Sequence, residues 1–137
     1  MLGAVDHVGY LARDLDAAVA ELAELLGVPI ARRFERPEFS VVGVYMGAGD
    51  GSVEVFSFTD PELQERRLGG SSLLLDHVAY AVADIDAVAG AMKAAGVRFS
   101  GPDLRGELEE AVDLGGVRHL WTVPETCCGQ SIQLMQR

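Results

Sequence analysis

The stretch DHVGYLARDLDA, Asp6–Ala17, returns as DHVAYAVADIDA, Asp76–Ala87, at an offset of 70 residues. Seven of the 12 positions are identical, where average amino-acid usage gives about one match by chance. A repeat decides more about a fold than any local propensity. Two copies of this length are too few and too long for a solenoid, so a pseudo-twofold arrangement of two modules is expected.

Working outward, each copy opens with a strand, expected at Val5–Leu11 and at Leu74–Val82. An aspartate then starts a helix at Asp14 and at Asp84, its carboxylate capping free backbone N–H groups. Leu15, Ala18, Val19, Leu22, Leu25 and Leu26 form a helical apolar stripe. Gly27 and Gly96 end the two helices. Three β-like runs follow in the first copy, Ile30–Phe34, Phe39–Met46 and Ser52–Phe58, with Gly47–Gly51 as the turn between the last two. The second copy offers Val97–Ser100, a run around His119–Val123, and Ser131–Met135. Its middle, Leu104–Gly116, is open between loop, turn and strand. Thr59–Ser72 connects the copies and carries a helical turn at its centre. The expectation is one domain over 1–137, with a first module at 1–58, a linker at 59–73 and a second module at 74–137.

The totals bound the function. A chain of 137 residues that is 49% apolar can bury a core without disulfides. Its apolar runs are too short to span a bilayer, and MLGAVDHVGY lacks the pattern of a secretory signal. Eleven basic against 21 acidic residues leave a net charge of −10, which argues against nucleic acid as a partner. The clusters Arg32, Arg33, Arg36 and Arg66, Arg67 read as solvated surface. Cys127 and Cys128 are adjacent, a poor geometry for a disulfide. They read as free thiols, so a cytoplasmic location is expected.

The paired DHV-Y-…-D-D motifs, across essentially the whole chain, resemble the vicinal-oxygen-chelate (glyoxalase/bleomycin-resistance/dioxygenase) superfamily. That resemblance implies an α+β fold in which two βαβββ modules form an eight-stranded, open, cup-shaped sheet. It also implies a divalent metal held by the first and last strand of each module. Carried over residue by residue, the ligand positions are His7, Glu54, His77 and Gln133. The last-strand segments align as Ser52/Ser131, Val53/Ile132, Glu54/Gln133 and Val55/Leu134. The second copy is nine residues longer, since Glu54 follows His7 by 47 and Gln133 follows His77 by 56.

Strand parity points the same way. Alternate side chains face opposite sides of a sheet, so Ser52, Glu54 and Phe56 share one face, as do Ser131, Gln133 and Met135. His7 shares its face with Gly9, and His77 with Ala79 and Ala81. A lone strand histidine is ordinarily a hydrogen-bonded structural residue; two repeat-related ones beside a carboxylate and an amide favour a ligand set. Two imidazoles, a carboxylate and an amide oxygen suit Mn, Fe, Co, Ni or Zn. His119, with no repeat partner, is expected to be structural or cavity-lining.

Among subfamilies the closest resemblance is to methylmalonyl-CoA epimerase. The segment Pro124–Leu134 is similar to that family's closing stretch, and Val42-Gly43-Val44 to its Gln-Gly-Val strand. Those enzymes carry Gln on the first module's last strand and Glu on the second's. Here the two are exchanged, as Glu54 and Gln133, and Glu125 stands where a lysine is usual. A neutral amide is no base, so Glu54 is the first catalytic candidate, with Glu35 and Glu38 behind it. The resemblance implies a small-molecule substrate, lyase or isomerase chemistry, and a homodimer. The alternative is a drug- or natural-product-binding resistance protein without chemistry, with Phe56, Phe58, Tyr45, Trp121 and Met135 lining an apolar pocket. An extradiol-type dioxygenase would need a glutamate at Gln133 and ranks below both.

Overall fold

A computed structural model describes residues 1–49 and 51–137. Asp50, inside the expected glycine-rich turn, lies outside them. The fold is of the α+β class, with a βαβββ module followed by a second that adds one short extra strand to the same plan. The chain divides into two compact units, His7–Asp76 and Met1–Asp6 with His77–Arg137.

The first unit contains β1 (Val5–Ala12, from His7 on), α1 (Leu15–Leu26), β2 (Ile30–Arg36), β3 (Val41–Met46), β4 (Val53–Phe58) and α2 (Pro61–Leu68). Its strands lie in the order β2-β3-β4-β1. β1 runs parallel to β4, and the other neighbours are antiparallel. Asp14 caps α1 by accepting from the Ala17 N–H, and Gly27 ends it in the left-handed region at φ 63°, which glycine adopts without strain. α1 buries Val19 against Ala12, Val44, Met46 and Val55 on one face of the sheet. On the other face Leu11, Val41, Phe56 and Phe58 pack with Leu63 and Leu68 of α2. Each such side chain contributes roughly 1.5–3 kcal/mol when fully buried.

Two expectations shift here. The run Phe39–Met46 is not all strand: Pro37–Phe39 forms a 3₁₀ turn, Ser40 takes φ 56°, and β3 begins at Val41. Proline lacks the N–H a ladder needs, so the chain turns before it pairs. The connecting segment forms a capped helix rather than a single turn. Asp60 accepts from the Glu62 and Leu63 N–H groups, Pro61 opens the helix, and Gly69 closes it. Gln64 then fastens it, accepting from the Phe58 N–H at 2.9 Å and donating to the Ala12 carbonyl at 2.6 Å.

The second unit contains β5 (Leu73–Ala81, from His77 on), α3 (Ile85–Ala94), β6 (Phe99–Ser100), β7 (Val112–Leu114), β8 (Val117–Thr122) and β9 (Ser131–Gln136). Its order is β5-β9-β8-β6, with β7 also paired to β8. Asp84 caps α3 through the Ala87 N–H, as Asp14 does for α1. Ile85, Val88 and Ala89 pack on Phe99, Leu120 and Leu134. The ambiguous middle resolves into loop plus the short β7, joined to β8 through Gly115 and Gly116. The Asp113 carboxylate accepts from the Gly116 N–H to close that turn. Gly3 and Ala4 pair with Ala81, which explains why the N-terminus belongs to this unit.

The repeated aspartates now have roles in matched pairs. Asp16 binds Arg33 and Asp86 binds Arg118. Asp6 pairs with Arg137 and Asp76 with Arg67.

Candidate functional site

In the first unit β1 carries His7 and β4 carries Glu54, both buried. Their strands are parallel neighbours with Gly9 beside Glu54, so the residue in register with the carboxylate adds no side chain of its own. His7 Nε2 lies 3.4 Å from Glu54 Oε2. Tyr45 is the residue directly across from Glu54 on β3, and directly opposed residues share a sheet face. Its phenol interacts electrostatically with the Glu54 carboxylate, and its ring stands edge-on to His7 at 5.4 Å. Burial first, then the Glu54 charge, push the phenol well above its usual range.

The outer side of Tyr45 is also built. The Arg32 guanidinium lies 4.2 Å from the ring centroid, and Phe34 packs at 4.9 Å. Phe34 can lie there because Gly43 faces it: a Cβ at Gly43 would come 2.4 Å from the ring.

In the second unit β5 carries His77 and β9 carries Gln133, again buried. Ala79 stands beside Gln133 where Gly9 stands beside Glu54. Across β8, Trp121 opposes Gln133 and His119 opposes Met135, so all four share one face. Gln133 Nε2 lies 2.9 Å from His119 Nδ1. An amide nitrogen only donates, so Nδ1 accepts and the imidazole proton sits on Nε2. The His119 ring stacks on Trp121 at 5.5 Å with 12° between planes. Gln133 Oε1 is buried and has no hydrogen-bond partner among the described residues, a state costing about 1–3 kcal/mol if nothing binds there.

The remaining candidates lie elsewhere. Glu35 and Glu38 are exposed on β2 and the 3₁₀ turn. Cys128 is exposed and Cys127 half-buried, both as thiols. Phe56 and Phe58 belong to the core beneath α2, whereas Tyr45 and Trp121 flank Glu54 and Gln133. Sequence reading gave Tyr45 only a pocket-lining role and His119 a structural or cavity-lining one, without the residues either would meet. The signal for Tyr45 was its cross-strand register with Glu54. For His119 it was parity with Trp121, hidden by uncertainty about where β8 begins.

A sequence model of the Glyoxalase/Bleomycin resistance protein/Dioxygenase superfamily matches residues 6–110. The chain belongs to that superfamily. Among solved structures it is similar to methylmalonyl-CoA epimerases. The Mycobacterium tuberculosis enzyme matches at TM-score 0.82 and 19% identity, over 98% of this chain and 88% of that one. A variant of the Streptomyces coelicolor enzyme, in complex with 2-nitronate-propionyl-CoA, matches at TM-score 0.82 and 23% identity, over 99% and 98%. A selenomethionine methylmalonyl-CoA epimerase matches at TM-score 0.78 and 28% identity, over 99% and 97%. No curated protein sequence matches the chain. Among the described residues no helix is long and apolar enough to cross a membrane.

Proposed function

We propose that His7, Glu54, His77 and Gln133 hold one divalent metal, and that the chain is a lyase or epimerase acting on a small oxygenated substrate. The observation that carries this reading is Gln133 Oε1, a buried carbonyl oxygen with no hydrogen-bond partner among the described residues. A buried acceptor is ordinarily satisfied, and a cation satisfies it as well as a donor does. The rest of the donor set fits: two buried imidazoles and a buried carboxylate, a mixed nitrogen and oxygen set suited to Mn, Fe, Co, Ni or Zn.

Such a metal, when bound, supplies a Lewis acid for a substrate carbonyl oxygen. The chain's own groups do the rest. Glu54 is the proton-transfer group, since Gln133 can neither take nor give a proton at neutral pH. Tyr45, held un-ionised by burial and by the Glu54 charge, keeps its O–H beside the carboxylate. Ala79 and Gly9 leave room beside Gln133 and Glu54 for a ligand. The fold likeness alone names no substrate. The related enzymes' CoA ligands make acyl thioesters the first class to screen, although the net charge of −10 favours smaller, less anionic compounds. A homodimer and a cytoplasmic location complete the reading.

Elemental analysis of protein purified without a metal-binding tag tests it, beside a His7→Ala/His77→Ala double variant. About one transition-metal equivalent per chain, lost in the variant, is expected. No metal, with no uptake of Mn, Co, Ni or Zn, overturns the metal site and turns the search to ligand sequestration.

A further inference from the structure

We infer that His119 is a positioning residue that decides which end of the Gln133 amide is offered as a ligand; this rests on the metal-site reading above. The reasoning starts from the ambivalence of an amide. Its oxygen coordinates a cation and its nitrogen does not, yet the two ends have nearly the same shape. A buried glutamine therefore needs something to hold its NH₂ end aside, or a rotation by half a turn presents two N–H groups where a lone pair is wanted. A carboxylate at the same place has no wrong end and needs no such device.

His119 supplies it. Its Nδ1 accepts from Gln133 Nε2 at 2.9 Å, which leaves Oε1 as the end with no protein partner among the described residues. The ring is itself held: it is buried and stacked on Trp121 with 12° between planes. The β8–β9 register places Trp121 against Gln133 and His119 against Met135, so the acceptor reaches the amide from one pair along the ladder. Thr122 fastens that ladder where β9 begins, its hydroxyl donating to the Gln130 carbonyl and accepting from the Ile132 N–H, both at 2.9 Å. The counterpart position in the first module is Gly43, opposite Phe56 as His119 is opposite Met135. There the ligand is a carboxylate, and an acceptor would repel it.

The test uses calorimetric titration of the full chain, freed of metal, with Mn²⁺ alone. His119→Phe keeps an aromatic ring for Trp121 and removes the acceptor. It is expected to weaken Mn²⁺ binding about tenfold, the scale of partners that orient a ligand. His119→Asn, whose Oδ1 takes the place of Nδ1, is expected to restore binding to within about threefold of the wild type. In a Gln133→Glu background the His119→Phe change should cost less than about twofold, since a carboxylate has no end to choose. An equal loss in both backgrounds overturns the inference while leaving the metal site standing. No uptake by the wild type sinks the metal site and the inference together. Selective ¹⁵N-glutamine labelling adds a readout on the wild type, with no change at His119. In the metal-free wild type the Gln133 side-chain NH₂, assigned by its loss in Gln133→Glu, should exchange slowly with solvent. Fast exchange there would show that the amide is not held, and would also overturn the inference.

Discussion

The two modules share a plan and differ in what stands behind Glu54 and Gln133. In the first, a carboxylate faces a phenol O–H; in the second, an amide NH₂ faces an imidazole nitrogen. Both arrangements obey one rule, that a buried polar atom must meet its complement. A carboxylate has only acceptors, so its neighbour is a donor. An amide has a surplus donor, so its neighbour is an acceptor. The repeat kept the backbone and the imidazoles at His7 and His77 while the supporting residues followed the chemistry of Glu54 and Gln133. Equivalent positions in a duplicated fold are thus constrained in pairs across the ladder rather than one at a time.

The sharpest way to break this comparison is to erase the chemical difference. Glu54→Gln leaves two amides and no carboxylate, and kcat on an identified substrate should fall by about 10²- to 10⁴-fold. Retained activity would remove Glu54 from the proton transfer. Next come the two cores, matched at Leu134 and Val55. Leu134→Ala should cost about 2–5 kcal/mol by urea denaturation. Val55→Ala should cost roughly half that, because fewer buried methylenes are lost.

Tyr45→Phe probes the donor behind Glu54. It should destabilise the protein by about 1–3 kcal/mol, since a buried carboxylate loses one of its polar neighbours. A difference titration at 295 nm between wild type and variant should show no Tyr45 ionisation below about pH 11. The sign follows from the raised folded value: any stability linked to this phenol is complete below the unfolded value and declines as pH rises beyond it.

Only the first module continues into a capped helix. Asp60→Ala should lower stability by about 1 kcal/mol, read as a shift in the thermal midpoint. The smallest effect expected is at Asp86, whose carboxyl a hydrogen bond from Arg118 holds below its usual range. A depressed value contributes stability above the unfolded value and loses it as pH falls through the folded one. The thermal midpoints of wild type and Asp86→Asn should therefore differ slightly near neutrality and converge in acid. A difference that persists at about pH 2 would assign the effect to packing instead.

Much of the fold was legible because the repeated motif is dense in residues with local duties. Asp14 and Asp84 cap helices, and the alternation after Asp6 and Asp76 marks strands with one polar-lined face. His7, Glu54, His77 and Gln133 were legible as candidates because parity is a property of the chain alone. Tyr45 and His119 were not, because their roles depend on register between strands, which turn geometry sets. Pro37 and the φ of Ser40 delay β3 to Val41, and the nine-residue excess of the second copy, with its short β7, obscured where β8 starts. The helix α2 was under-read for a simpler reason. Eight residues with two apolar anchors, Leu63 and Leu68, give too little periodicity to separate from a charged loop.

The repeated aspartates carry a consequence for anyone who would cut this gene. Asp6 answers to Arg137 and Asp76 to Arg67, so the boundary of each compact unit falls inside the DHV motif, between its aspartate and its histidine. A half-gene ending at the linker would drop Asp76 from the first unit and leave Met1–Asp6 attached to the wrong half. Division of the chain between Asp6 and His7 and between Asp76 and His77 is what keeps each of these ion pairs within one unit.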